Sequence, residues 1–328
     1  MKNLFASFFF VLALATTFAA QAQTIRRVNN TGITGTLIYS DIDAAIVASA
    51  SGDVIQVEPS GVPYSGFTVD KNVTIVGPGY FLDPSENAGL QANPLPALVG
   101  GVLIQTGGAS ATMTGLTFSG DVRINASNIT IQRCRFSRLY IQSNSAPITG
   151  LIIKQCYFDY MQNIFGIASD NMLITNCIIT NGNAMGFPVY YSGGFFNNVV
   201  VTGTPTLNNF VVANNYFSGG LGGGGNTLNN NISATTSFPT TNGNQANVPQ
   251  SAVFVLAPGA TAFDAWYQLK TGTNPARGTG QGGVDVGAFG GVTPYKLGGL
   301  PNIPAIYQQT ETIVGNSLNA TLSTRSNN

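Results

Sequence analysis

Histidine is absent from all 328 residues. Its absence excludes Ser-His-Asp and Cys-His nucleophile systems and the usual zinc ligand sets, so any chemistry would fall to carboxylates, tyrosine, lysine, arginine or an oxygen-held cation. Charge is scarce as well: 8% of residues are charged, and 13 bases balance 13 acids. Nucleic acid needs a basic surface to neutralise its phosphates, so no nucleic-acid partner is expected. Low charge does not mean disorder here, because 44% of residues are hydrophobic and 40 glycines punctuate them at short intervals. Beyond the first two dozen residues no apolar run is long enough to cross a bilayer, so no membrane span is expected after that point.

The N-terminal stretch itself reads as an export signal. Lys2 precedes the apolar run "LFASFFFVLALATTFAA", and Ala20 and Ala22 have the small-residue spacing of a signal peptidase site. Residues 1–22 are therefore set apart from the fold, although the same pattern also suits a membrane anchor. Export places the mature chain outside the cell, on its surface or in the periplasm.

What is present in quantity is a repeat. The block "NITIQRCRF" (128–136) is followed by "GLIIKQCYF" (150–158) and "NMLITNCII" (171–179), with weaker copies at 193–201, 209–217 and 226–233. Anchored on the seventh position, these give Cys134, Cys156, Cys177, Val199, Asn215 and Asn231, at steps of 22, 21, 22, 16 and 16 residues. Side chains alternate across a strand, yet Ile129 and Ile131 have one parity while Cys134 and Phe136 have the other. The chain must therefore bend between Ile131 and Cys134, and at the matching place in every clear copy. A bend at a fixed place in every repeat predicts an all-β solenoid, a single-stranded parallel β-helix. Its interior columns would be Ile131, Ile153, Ile174, Phe196, Val212 and Leu228, and Phe136, Phe158, Ile179, Val201 and Phe217.

Upstream, Ser40 and Asp43 have capping-box spacing ahead of Ile42, Ala45 and Ile46, with Gly52 placed to end a short helix. That helix would cover the open end of the coil. The segments "DAAIVASASGDVIQVEPSGVPYSGFTVDKNVTIVG" and "YQLKTGTNPARGTGQGGVDVGAFGG" (267–291) resemble the usual first and last turns of the pectin-lyase-like right-handed β-helix proteins. The resemblance implies a right-handed β-helix over residues 23–291, followed by a Pro- and Gly-rich tail, 292–328, with a terminal strand around "SLNATLST". The tail "TPYKLGGLPNIPAIYQ" is similar to segments that follow such helices in surface proteins of Bacteroidetes-type bacteria.

For enzymatic members of that family the resemblance implies clustered aspartates beside an Arg or Lys base, or several aspartates with a histidine. Neither set is present in the repeats, and no metal or cofactor is expected. Charge gathers instead at Asp121, Arg123, Arg133, Arg135, Arg138, Lys154 and Asp159. Arg135 and Tyr157 share an outward position, later occupied by Tyr216. Arginine beside tyrosine suits a sugar chain, through charge-assisted hydrogen bonds and ring stacking, and equally suits an ordinary solvated face. Arg133, Arg135, Lys154, Tyr157 and Asp159 are thus the candidate polysaccharide contacts of a non-catalytic surface protein. The alternative is a lyase or hydrolase acting on an acidic polysaccharide, with Lys154 or Arg135 as base and Tyr157 as acid.

Two further features bear on partners. The three cysteines lie in one interior column, where in-register strands point them the same way; buried free thiols fit that placement better than a disulfide. The outward column Thr130, Ile152, Leu173, Phe195 and Val211, with Ile178 and Val200 beside it, forms an apolar stripe that calls for a cover or a partner. The tail from Val292 to Tyr307 is one cover, and self-association is the other reading.

Overall fold

The computed structural model describes residues 23–143, 146–165, 169–187, 192–256 and 263–327, so the expected signal peptide lies outside the described residues. The protein is all-β. Its strands form a 12-stranded sheet and an 11-stranded sheet, with a separate two-stranded hairpin near the C-terminus. The chain passes back and forth between the two large sheets: Thr130–Gln132 in the first is followed by Arg135–Ile141 in the second, then Ile148–Thr149 and Ile152–Lys154 in the first and Tyr157–Asn163 in the second. The pairings between these strands are all parallel, which is compatible with a parallel β-helix.

The register matches the columns expected from the repeat. Ile131 pairs with Ile153, then Ile174, Phe196, Val212 and Leu228, while Phe136 pairs with Phe158, then Ile179, Val201 and Phe217. All but Leu228, which is partly buried, belong to the buried core. Phe136 and Phe158 stack at 4.8 Å and 13°, the offset expected of rings repeated at the inter-strand spacing.

The bend has a specific backbone cause. Between the two strands of each turn one residue adopts a left-handed conformation: Arg133 (φ 50), Gln155 (54), Asn176 (51), Asn198 (54), Asn214 (59) and Asn230 (52). Asparagine tolerates this region better than most residues because its short amide bonds locally, and it fills four of these six places. The residue after each is turned inward, giving the column Cys134, Cys156, Cys177, Val199, Asn215 and Asn231, each fully buried. The thiols are free. They are hydrogen-bond donors: Cys156 Sγ lies 3.5 Å from the carbonyl of Ile131, and Cys177 Sγ lies 3.6 Å from that of Ile153. Asn215 and Asn231 donate Nδ2 to the corresponding carbonyls of Phe196 and Val212, at 2.6 and 2.8 Å. Asn215 and Asn231 also accept, through Oδ1, from the amides of Val199 and Asn215 at 2.8 and 3.0 Å, so these side chains bond backbone groups of the preceding turn.

The N-terminal helix spans Ile42–Ala48 and buries Ile42, Ala45 and Ile46. Its cap is Asp41, whose carboxylate accepts from the Ala44 amide at 2.7 Å, and not a Ser40–Asp43 box. Asp43 instead accepts from the amide of Thr68, tying the helix to the coil.

The stretch 267–291, expected as a last turn, carries no strand. Together with residues up to Asn302 it forms a strap that runs back along the outside of the coil, and the left-handed column is its binding track. Asn230 donates to Thr279 O (2.9 Å), and Asn214 accepts from Gln281 N (2.7 Å). Asn176 donates to Ala288 O and Gly290 O (2.9 and 2.7 Å), Gln155 to Pro294 O (2.6 Å), and Arg133 to Leu300 O (2.7 Å). Under the strap lies a second core, built from Phe81, Tyr157, Ile178, Val200, Tyr216, Phe254, Val286 and Tyr295 among others. Ile178 and Val200 are thus covered, with Gly287 and Phe254 against Val200, by chain upstream of the Val292–Tyr307 tail expected as the cover. Among the described residues Phe195 and Val211 stay exposed and Ile152 and Leu173 half-buried.

Substitutions at Asn176 separate backbone preference from strap bonding. Asn176→Gly keeps the left-handed backbone and removes two buried hydrogen bonds, for an expected loss of about 1–3 kcal/mol. Asn176→Ala should lose about 1–2 kcal/mol more, because Cβ disfavours that conformation. Urea unfolding of both variants at a common slope reads the difference.

Candidate functional site

The structure distributes the five sequence-derived contact residues over different faces. Arg133 is buried: its guanidinium bonds Gln155 Oε1 at 2.9 Å, Leu300 O at 2.7 Å and the side chain of Asn302. Those partners are neutral oxygens, and burial lowers the pKa of this arginine. It fastens the lower end of the strap. Gly298 and Gly299, at φ 66 and 55, make this docking close enough: a Cβ on Gly299 would sit 2.2 Å from the Tyr80 ring and 2.7 Å from Arg133 O.

Arg135 and Tyr157 do stand side by side in register, with Ile178, Val200, Tyr216 and Ile232 continuing the column. A loop beginning at Tyr80 closes over them. Phe81 meets the Tyr157 ring edge-on at 5.0 Å, and the Arg135 guanidinium lies over the other side of Phe81, 4.4 Å from its centroid. Tyr157 is consequently a core residue, and burial pushes its hydroxyl well above the ordinary tyrosine value. Lys154 stands on the other sheet, in the outward column of Gln132 and Thr175. Asp159 is held by Ser137 and Thr180, whose hydroxyls donate to its two oxygens at 2.5 and 2.6 Å. A lysine base and a tyrosine acid therefore do not converge.

A different group does converge, on the outer face of the second sheet. The register places Arg123 beside Tyr140, and Arg138 beside Tyr160. Asp121 draws both arginines to it, Arg138 Nε at 2.8 Å and Arg123 Nη2 at 3.1 Å, while each guanidinium stays about half exposed. The rings of Tyr140 and Tyr160 meet at 6.4 Å and 74°, with their hydroxyls 3.2 Å apart. The shared hydrogen bond, with some desolvation, raises the pKa of Tyr140, and Asp121 raises that of Arg138. The result is an open shelf with two ring edges, two charged forks and the Ser137–Asp159–Thr180 hydroxyl cluster along one side. Sequence reading found Asp121, Arg123, Arg138 and Asp159 but missed the tyrosines. Carrying the register four residues past the repeated block, through "RLYI" and "YMQN", sets Tyr160 beside Arg138 and Tyr140 beside Gln162, diagonal positions on one face.

A cleft of about 1060 Å³ lies elsewhere, between residues 84–94 and the root of the C-terminal hairpin. Gln56, Pro78, Gln91, Pro94, Ile306 and Gln309 are among its lining. Among the described residues no three acids or cysteines gather as a metal-binding group, and no helix is long and apolar enough to cross a membrane.

One buried acid unites the outer layer. Asp264 accepts from Asn87 Nδ2 at 2.9 Å, from Gly298 N at 2.7 Å and from Tyr295 Oη at 3.2 Å, joining the loop, the strap and the 264 segment. Burial holds its pKa above the ordinary 3.8, against the pull of those hydrogen bonds. The folded state thus binds this proton more tightly than the unfolded chain does. The contribution of Asp264 to stability is greatest at and below pH 3.8 and falls as pH rises through its raised folded value. Asp264→Asn should flatten that part of the profile. It should also cost about 1–3 kcal/mol at neutral pH, because an amide nitrogen then faces donors. Urea midpoints of the two proteins between pH 4 and 7 give the comparison.

Comparison with known protein families, with curated proteins and with solved structures found no match to this chain.

Proposed function

We propose that this chain is an exported, right-handed, pectin-lyase-like β-helix that binds carbohydrate on the outer face of its second sheet without cleaving it. The single observation that carries this reading is the shelf formed by Tyr140, Tyr160, Arg123 and Arg138 around Asp121. Sugar recognition calls for flat apolar surface against ring C–H groups and for hydrogen-bond donors fixed in planar forks, and both are present on a rigid sheet. Anchoring both arginines to one carboxylate pre-orders them, so less side-chain freedom is lost on binding. Donors outnumber acceptors at the rim, which favours glycans rich in hydroxyls or carboxylates.

The non-catalytic half of the reading rests on the separation of the titratable groups. Catalysis by general acid and base needs both within hydrogen-bond reach of one substrate bond. Here Tyr157 is enclosed, Lys154 faces away on the other sheet, Arg123 and Arg138 are committed to Asp121, and the exposed Arg135 lies against the Phe81 ring. The signal-like residues 1–22 and the family-like opening and tail segments support export to the cell surface.

A glycan array probed with the mature chain, followed by titration calorimetry on the best hits, tests the proposal. Tyr140→Ala and Tyr160→Ala should each weaken binding about tenfold or more, and Arg138→Ala should weaken anionic glycans more than neutral ones. Lys154→Ala should leave binding unchanged. Ultraviolet absorbance of unsaturated uronate, appearing with an acidic polysaccharide and lost in Lys154→Ala, would instead identify a lyase.

A further inference from the structure

The longest strands of the protein lie outside its two large sheets. Ala305–Val314 and Ser317–Arg325 pair antiparallel around a two-residue turn, with Gly315 at φ 60 in its first position, as a type II′ turn requires. Only the root of this hairpin is tied down. Ala92 N donates to Ile306 O at 2.7 Å, and Arg325 donates to the carbonyls of Gly89 and Leu90 at 2.9 and 2.6 Å. Beyond that root almost every residue is exposed, including Ile313 (78%), Leu318 (64%) and Leu322 (54%). Two strands alone are marginal in water; three or more with an apolar face are not.

The outer edge is also undefended. Solvent-facing edge strands normally carry lysine, proline or a bulge to prevent pairing with another chain. Ser317–Arg325 has neither lysine nor proline, and its one charge, Arg325, sits at the root. The other strand lines the large cleft through residues 305–309 and Glu311, whereas residues 317–324 do not line it.

We infer that Ser317–Arg325 is a homotypic docking edge, pairing antiparallel with the same strand of a second copy of this chain about a two-fold axis at Ala320. The edge is complementary to itself in three respects. Counting outward from the turn, Val314 and Ser317 exchange hydrogen bonds, so the N–H and C=O groups of Leu318, Ala320 and Leu322 point away from the hairpin. A two-fold axis at Ala320 sets Leu318 against Leu322 of the copy, with both outward groups in phase. The same axis sets Asn319 against Thr321 on the opposite face and Ser317 against Ser323, so apolar meets apolar and polar meets polar. No charge opposes a like charge directly, because Glu311 faces Ala320 from the inner strand and the two copies of it would stand three inter-strand spacings, about 14 Å, apart. The product is a continuous four-stranded sheet with Ile313, Leu318 and Leu322 of both copies on one face, a closed isologous contact that does not propagate into a fibre.

Sedimentation or light scattering of the mature chain across a concentration series tests this. The expected result is a species of twice the chain mass that dissociates on dilution. Ala320→Pro removes an outward N–H at an edge position that proline tolerates, and should raise the dissociation constant at least about tenfold while the melting temperature of the coil stays unchanged. Leu318→Lys with Leu322→Lys opposes like charges across the axis and should give monomers. Leu318→Lys with Leu322→Glu opposes unlike charges and should restore the dimer. A wild-type chain that is monomeric at every concentration overturns the inference. So does a dimer that persists in Ala320→Pro, or a failure of the Lys/Glu pair to recover what the Lys/Lys pair loses.

Discussion

One backbone constraint organises most of the coil: from Gly115 to Asn230 each turn passes through a left-handed residue to leave the first sheet and enter the second. Reversing side-chain parity at that point turns Cys134, Cys156, Cys177, Val199, Asn215 and Asn231 into the interior and leaves Arg133, Gln155, Asn176, Asn198, Asn214 and Asn230 on the outside. In the first set Cys156, Cys177, Asn215 and Asn231 bond backbone groups of the preceding turn. The second set forms a polar rail, and the strap is bonded to it from Thr279 to Leu300. An arginine and a glutamine occupy left-handed places that asparagine fills more easily, and both reach strap carbonyls that lie at the far end of the tail. Local conformational preference yields there to a longer reach.

The strap in turn decides what the coil shows to solvent. It encloses the column from Tyr157 through Ile178, Val200 and Tyr216 and leaves Arg135 exposed at its end, so residues that look like a binding face in the bare sheet become the floor of a second core. It does not extend to the next stretch of the second sheet, where Arg123, Arg138, Tyr140 and Tyr160 remain accessible. The proposed carbohydrate surface is thus defined by where the cover ends.

Much of the coil was legible in the sequence, and the reason is periodicity. Ile131, Ile153 and Ile174 repeat because stacked turns impose the same environment at each level, and a parity switch between Ile131 and Cys134 is visible in nine residues. Features that depend on distant partners carried no such signal. Arg133 reads as a surface cation until Leu300 and Asn302 are brought to it, and Asp264 looks like any loop acid until Asn87, Tyr295 and Gly298 surround it. The helix cap shows the same limit on a small scale. Ser40 and Asp43 had the right spacing, but Asp43 was engaged by Thr68, a contact that only the coil creates.

The direction of the strap has a consequence for timing. Turns of a solenoid can stack one upon another as a chain emerges N-terminus first, each needing only its predecessor. The strap runs the opposite way, so Arg133 and the Tyr80 loop wait for Gly298 to Leu300, which arrive nearly last. Phe254, Val286 and Gly287 come earlier and already lie over the column at Ile178 and Val200, whereas Arg133 and the Tyr80 loop stay unfastened until then. The stack is therefore built before its last fastening is made, and a chain cut before Gly298 would keep its strands paired while leaving the Tyr80 loop and Arg133 without their strap carbonyls.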